Sequence, residues 1–156
     1  MNSHALNFCV DDLSRAEVHA LIRRHLAGMH ENSPPDSVHA LDIDKLRRPD
    51  VTFWTGWVRE NLAVMGALKR LDAENGEIKS MRVDDRWLGR GYGREMLNHI
   101  SMQARFMGLK ALWLETGSTA AFEPAIRLYE SAGFSFCGPF GDYTDDPFSR
   151  FMMRPV

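Results

Sequence analysis

Apolar positions change their period several times along this chain, and the changes mark out the elements. Residues 4–10 read as a first strand. Val18, Leu21, Ile22, Leu26 and Met29 then recur at three- and four-residue intervals, the buried stripe of a helix. At the head of this run Ser14 and Glu17 form a capping-box pattern, each placed to satisfy the other's orphan backbone donor, with Leu13 and Val18 spaced as a hydrophobic staple. Pro34 and Pro35 end the helix. A short second helix is predicted over 42–48, stopped by Pro49.

The period then shortens. Residues 51–58, "VTFWTGWV", are β-branched and aromatic, and the break at Arg59, Glu60 and Asn61 predicts a hairpin into a strand over 62–71. A turn from Asp72 to Gly76 leads into a third strand over 77–83, completing an antiparallel meander. Leu97, Ile100, Ala104 and Met107 restore helical spacing over 91–107, with Gly108 placed to end that helix. The apolar run at 110–116 predicts a central strand. A helix over 122–132 follows, with Pro124 in its first turn and Gly133 behind it. Two closing strands, around 134–140 and 149–156, flank the acidic loop "GDYTDDP". Antiparallel strands followed by a strand–loop–helix–strand unit predict a mixed α/β sheet in a single domain over 1–156.

Composition narrows the function classes. The chain has 156 residues, 44% hydrophobic and 26% charged, with a net charge of −2. That length supports a core without staples, and that balance argues against a nucleic-acid partner. No apolar run of about 18 residues predicts a membrane span, and the N-terminus lacks the pattern of a signal peptide. Cys9 and Cys137 are far apart and outside any CxxC pattern, which predicts two free thiols in a reducing, cytoplasmic setting. The six histidines show no metal-ligand spacing, so no metal is expected.

The most informative stretch is "LGRGYGREML", residues 88–97, where Gly89, Gly91 and Gly93 alternate just before a helix. A helix N-terminus offers unpaired N–H groups and partial positive charge, and glycines let a ligand approach the main chain. Arg86, Arg90 and Arg94 add charge to the same turn. These features predict a phosphate or pyrophosphate cradle. The third glycine falls one residue early for a Rossmann fingerprint, and no Walker A sequence is present.

The order of elements, with "VDDRWLGRGYGREML" and then "LYESAGF", resembles the GNAT superfamily of acetyl-CoA-dependent N-acetyltransferases. The resemblance is firm over residues 60–137 and extends, through "LETGSTAAFEPAIRLYESAGF", to a small bacterial subgroup. Leu88 stands where the family usually has Arg or Gln, with Arg86 or Arg90 as substitutes, and Phe122 stands where many members have Asn.

The resemblance implies a twisted mixed sheet of six or seven strands with helices on both faces. It also implies acetyl transfer to a primary amine by direct attack in a ternary complex. Residues Leu88, Gly89, Arg90, Gly91, Tyr92, Gly93 and Arg94 would hold the cofactor diphosphate, and main chain near Met81 and Val83 its pantetheine arm. Glu77 would take the amine proton and Tyr129 would protonate the leaving thiolate. Glu115 would contact the acceptor or brace the loop. Asp142 and Tyr143, in the acidic loop, would meet a cationic amine, as would the neighbouring Asp145 and Asp146. His25, His30 and His39 lie near the first loop. A small-molecule amine is the first expectation for the acceptor and a protein or peptide amine the second. A non-catalytic coenzyme A or nucleotide binder and a homodimer are left open.

Overall fold

Alternation along the central strands sends side chains to two opposite faces, and each face recruits its own helices. This is seen in a computed structural model that describes residues 5–156. The strands are β1 (Asn7–Val10), β2 (Val51–Val58), β3 (Asn61–Arg70), β4 (Asn75–Val83), β5 (Ala111–Gly117), β6 (Ser135–Cys137) and β7 (Ser149–Pro155). The helices are α1 (Ala16–Asn32), α2 (Ile43–Leu46), α3 (Tyr92–Phe106) and α4 (Glu123–Ser131). The strands form one seven-stranded sheet in the order β1-β2-β3-β4-β5-β7-β6. Among the described strands only the β4–β5 pair is parallel, and α3 makes its crossover.

Phe53, Met65 and Ala67 bury against Val18, Leu21 and Ile22 of α1 and Leu46 of α2. Val64, Leu68 and Ile78 bury on the other face against Met96, Leu97, Ile100 and Ala104 of α3 and Tyr129 of α4. Each fully buried aliphatic side chain contributes about 1.5–3 kcal/mol against leaving it in water, so both helix pairs are held chiefly by these stripes. The mixed sheet covered on both faces agrees with the expectation from sequence.

Local differences have identifiable causes. The first strand starts at Asn7, and the expected first residue, His4, lies outside the described residues. The capping box does not form: Arg15 is the N-cap of α1 and makes no side-chain cap bond. Ser14 instead donates its hydroxyl to Asp12 Oδ1 at 2.6 Å. Leu13, at φ +63°, turns the chain so that its side chain buries beside Val18. Asp72 accepts from the backbone N–H groups of Glu74 and Asn75, which lets β4 begin two residues earlier than expected. Strand β6 is short because Gly138 and Pro139 interrupt it.

Candidate active site

Strands β4 and β5 are paired only from Asn75 and Ala111 to Ile78 and Leu114. Beyond that point they share no ladder, although β4 runs on to Val83 and β5 to Gly117. The cause lies in β4. Met65 pairs with Arg82 but Ala67 pairs with Lys79, so residues 80 and 81 both face Gly66: a β-bulge. Ser80 sits in the bulge at φ +55°. Gly66 makes room, since a Cβ there would come within 2.9 Å of Ile100 Cδ1, Met81 Sδ and Met96 Cγ. The parted strands open a cleft between α1 and α4, in which Met81, Glu115 and Tyr129 meet His25.

Beyond the bulge the chain reaches the glycine bend. Gly89 has φ +76° and Gly91, the N-cap of α3, φ +82°, both in the left-handed region that glycine tolerates. No side chain caps the helix, and Glu95 N–H closes its first turn onto Gly91 O, so the first N–H groups of α3 point out of the bend. A Cβ at Gly89 or Gly91 would meet nothing within 4 Å, and Leu88 is 61% exposed, so the bend is open. Arg86 is paired with Asp84 at 3.1 Å, and Arg90 stacks 4.8 Å over the Trp87 ring. Arg94 bonds the Ser131 hydroxyl of α4. Gly93 lies inside α3, with Val83 and Leu128 packed beside it. The residues present therefore fit a diphosphate-bearing acyl carrier: an open main-chain cradle at one end and a parted sheet at the other.

Tyr129 is buried on α4, its ring 5.8 Å from that of Phe134. Burial, and then the charge of Glu115, pushes its phenol up to about 12, so it holds its proton at neutral pH. Glu115 accepts from Ser149 Oγ at 2.8 Å. Burial is the largest influence on its carboxyl and raises it above the usual range. Phe122 lies with its ring across Gly117 at the end of β5 and closes this side of the cleft.

Glu77 is 2% exposed and is not the solvated strand end that its place after a turn suggests. It accepts from Tyr143 Oη at 2.5 Å and pairs with Lys79 Nζ at 3.2 Å. Lys79 donates also to Tyr143 Oη and to His39 O, which uses all three of its N–H bonds. Burial, then the Glu77 charge, drives the Tyr143 phenol far above its ordinary value. Glu77, Asp142 and Tyr143 line a second cavity, which meets the cleft at His39 and Lys79. Asp146 ties this loop to the first one by accepting from Ser37 Oγ at 2.5 Å. Asp145 is exposed, and neither it nor His30 lines either cavity.

Of the histidines named near the first loop, His25 and His39 line the cleft, whereas sequence reasoning passed over Ser80 and Lys79. The burial of His25 follows from its place in the buried stripe of α1 after Val18, Leu21 and Ile22. Ser80 carried no signal, because a bulge leaves the strand's composition unchanged. His25 is 4% exposed, and its Nδ1 has no hydrogen-bond partner among the described residues. Burial first, then the charges of Arg82 and Lys79, lowers its pKa from 6.5 to about 3. The folded protein therefore leaves His25 neutral where the unfolded chain protonates it, and stability falls as pH drops below about 6.5. Lowering the pH from 6 to 5 should cost about 1 kcal/mol through this group, since one pKa unit is about 1.4 kcal/mol. His99, also lowered by burial, acts in the same direction. Urea unfolding at the two pH values checks this, and His25→Leu should flatten the dependence.

A strand pair parted by a bulge, and an open glycine-lined helix start beside it, define an acyltransferase framework. The family model described as "Acetyltransferase (GNAT) family" matches residues 17–134. The chain belongs to the GNAT family and is an acyl-CoA-dependent acetyltransferase. It is 50% identical over 147 residues to the "Uncharacterized N-acetyltransferase YsnE" of Bacillus subtilis, covering 94% of this chain and 97% of that one. It is 40% identical over 125 residues to the "IAA acetyltransferase" of Azospirillum brasilense, covering 79% and 80%. A crystal structure from Klebsiella pneumoniae, assigned as an acyl-CoA N-acyltransferase, superposes with a TM-score of 0.82 at 26% identity, covering 98% and 99%. Among the described residues no helix is long and apolar enough to cross a membrane.

Proposed function

We propose that the protein moves an acetyl group from acetyl-CoA to the primary amine of a small molecule, by direct attack within a ternary complex. The observation that carries this reading is the single cleft holding the parted edge of β4, a buried neutral phenol and a carboxyl of raised proton affinity. Acetyl-CoA supplies the activated acyl group.

The chain supplies everything else. Main-chain N–H groups of residues 89–94 hold the diphosphate, aided by Arg90 and Arg94, and the exposed backbone beside Met81 and Val83 holds the pantetheine arm. Glu115, lining the cleft, takes the amine proton. Glu77, the carboxylate expected for that task from sequence, lies behind Lys79 and acts on the acceptor through the Tyr143 hydroxyl. Tyr129 gives its proton to the leaving sulfur as the carbon–sulfur bond breaks. Asp142 and Tyr143 border the second cavity, which serves as the entrance for the amine. A small acceptor is favoured over a protein because the Ser37–Asp146 link closes the first loop onto the acidic one. The name of the Azospirillum relative supports the same choice.

The test is thermal shift with acetyl-CoA, followed by thiol release across a panel of amines. Ligand at about one hundred times its dissociation constant should stabilise the protein by about 2.7 kcal/mol. Gly91→Ala should weaken acetyl-CoA binding about tenfold, because a side chain at φ +82° costs about 1–2 kcal/mol and pulls the bend out of shape. A protein with no shift toward coenzyme A species, or a Gly91→Ala variant that binds as the wild type does, would remove this reading.

A further inference from the structure

The cleft contains a hydroxyl that the fold leaves without work. Ser80 is 8% exposed, its Oγ is buried, and among the described residues no hydrogen-bond partner reaches it. A buried hydroxyl without a partner costs about 1–3 kcal/mol. Its backbone carries a second cost. Ser80 holds φ +55°, a region that suits glycine and, less well, asparagine or aspartate. Both costs fall on one residue, and that residue stands two positions past Ile78, where β4 and β5 stop pairing. Strained, unsatisfied positions of this kind persist where a ligand uses them.

The neighbouring groups narrow the use. Lys79 has no N–H left to offer, because Glu77, Tyr143 and His39 take all three. Tyr129 is assigned to the sulfur. Arg82, two residues on, turns toward α1, where its guanidinium occupies the space beside Gly28. Ser80 is thus a free donor on the wall of β4, in a site screened from water, where a hydrogen bond to developing charge is strongest.

We infer that the Ser80 hydroxyl, presented by the β4 bulge, donates a hydrogen bond to the carbonyl oxygen of the acyl thioester. This rests on the proposed acetyl transfer and adds a side-chain donor to it. As the amine nitrogen forms its bond to the acyl carbon, a carbonyl electron pair moves onto oxygen, and Ser80 holds that charge. The pair returns as the carbon–sulfur bond breaks. The sulfur takes the Tyr129 proton, the amine proton passes to Glu115, and exchange with solvent resets both groups. Ser80 itself forms no covalent bond.

The experiment compares acetyl-CoA with S-ethyl-coenzyme A, a thioether of similar size that lacks the carbonyl oxygen. Calorimetry is run on the wild type, Ser80→Ala and Ser80→Gly, and the unliganded melting temperature of each is recorded. Ser80→Gly removes the hydroxyl and also relieves the positive φ, so it preserves the bulge. In both variants, affinity for acetyl-CoA should fall about three- to tenfold, the range for one neutral hydrogen bond. Affinity for S-ethyl-coenzyme A should stay within about twofold, and the unliganded melting temperature should hold or rise. Where an accepting amine is in hand, kcat should fall about 10²-fold. Three results overturn the inference: unchanged preference for the carbonyl ligand, parallel loss of both ligands, or a lowered melting temperature in both variants. If neither ligand binds the wild type, the acetyl-CoA reading itself fails, and this outcome is distinct from the other three.

Discussion

Tyr129→Phe is expected to lower kcat about 10²-fold or more while leaving KM for acetyl-CoA within about twofold. The substitution removes one oxygen and keeps the ring that packs against Phe134, so the fold is not at risk. The phenol is held near 12 by burial, with the Glu115 charge adding to it, and so is fully protonated at any working pH. In the proposed reaction it donates only as negative charge builds on the departing sulfur beside this buried phenol. On that proposal, without it the thiolate would leave unprotonated, and that step would slow rather than substrate binding. A change confined to KM would show that Tyr129 only shapes the cleft. Glu115→Gln provides the matching test for the other proton. Its raised carboxyl should set the acid limb of the kcat profile, at a pH above the ordinary 4.5, and the substitution should abolish that limb. If Glu77→Gln removes the limb and Glu115→Gln does not, the two carboxylates exchange roles.

Gly117→Ala should be among the most damaging single substitutions in the chain. A Cβ at this position would run into the Phe122 ring, which is rigid and buried. Overpacking of this kind costs about 1–3 kcal/mol, a shift in melting temperature of about 2–4 °C for each kcal/mol at this size. The site suffers as well, because Gly117 and Phe122 both line the cleft and the ring has to move before the methyl group fits. Both effects should be largely recovered by Phe122→Leu in the Gly117→Ala background, measured as a double-mutant cycle. Additive losses in that cycle would mean that Phe122 is not the obstacle.

Much of the framework was legible because its signals are local. The meander, the glycine-led helix, the central strand and the run to "LYESAGF" depend on period, turn residues and capping. They appear at the expected places, apart from a few residues at the ends. The capping box at Ser14 and Glu17 failed for a reason that is also local but invisible in a pattern. Asp12 lies close enough to take the Ser14 hydroxyl once Leu13 turns the chain. Glu77 shows a different limit. Its place on β4 follows from sequence, but its environment is made by Lys79, from two residues on, and by Tyr143, from a loop 66 positions away.

The sequence by itself determined the class of fold and the glycine-led bend at Gly89 and Gly91, since backbone freedom and side-chain period are properties of neighbours along the chain. The tertiary structure alone decided where β4 and β5 part, that Ser80 faces the gap without a partner, and that Glu115 rather than Glu77 lines it. These depend on register between strands and on the packing of α1 and two loops. Such contacts join residues far apart in the chain, and no short window of sequence records them.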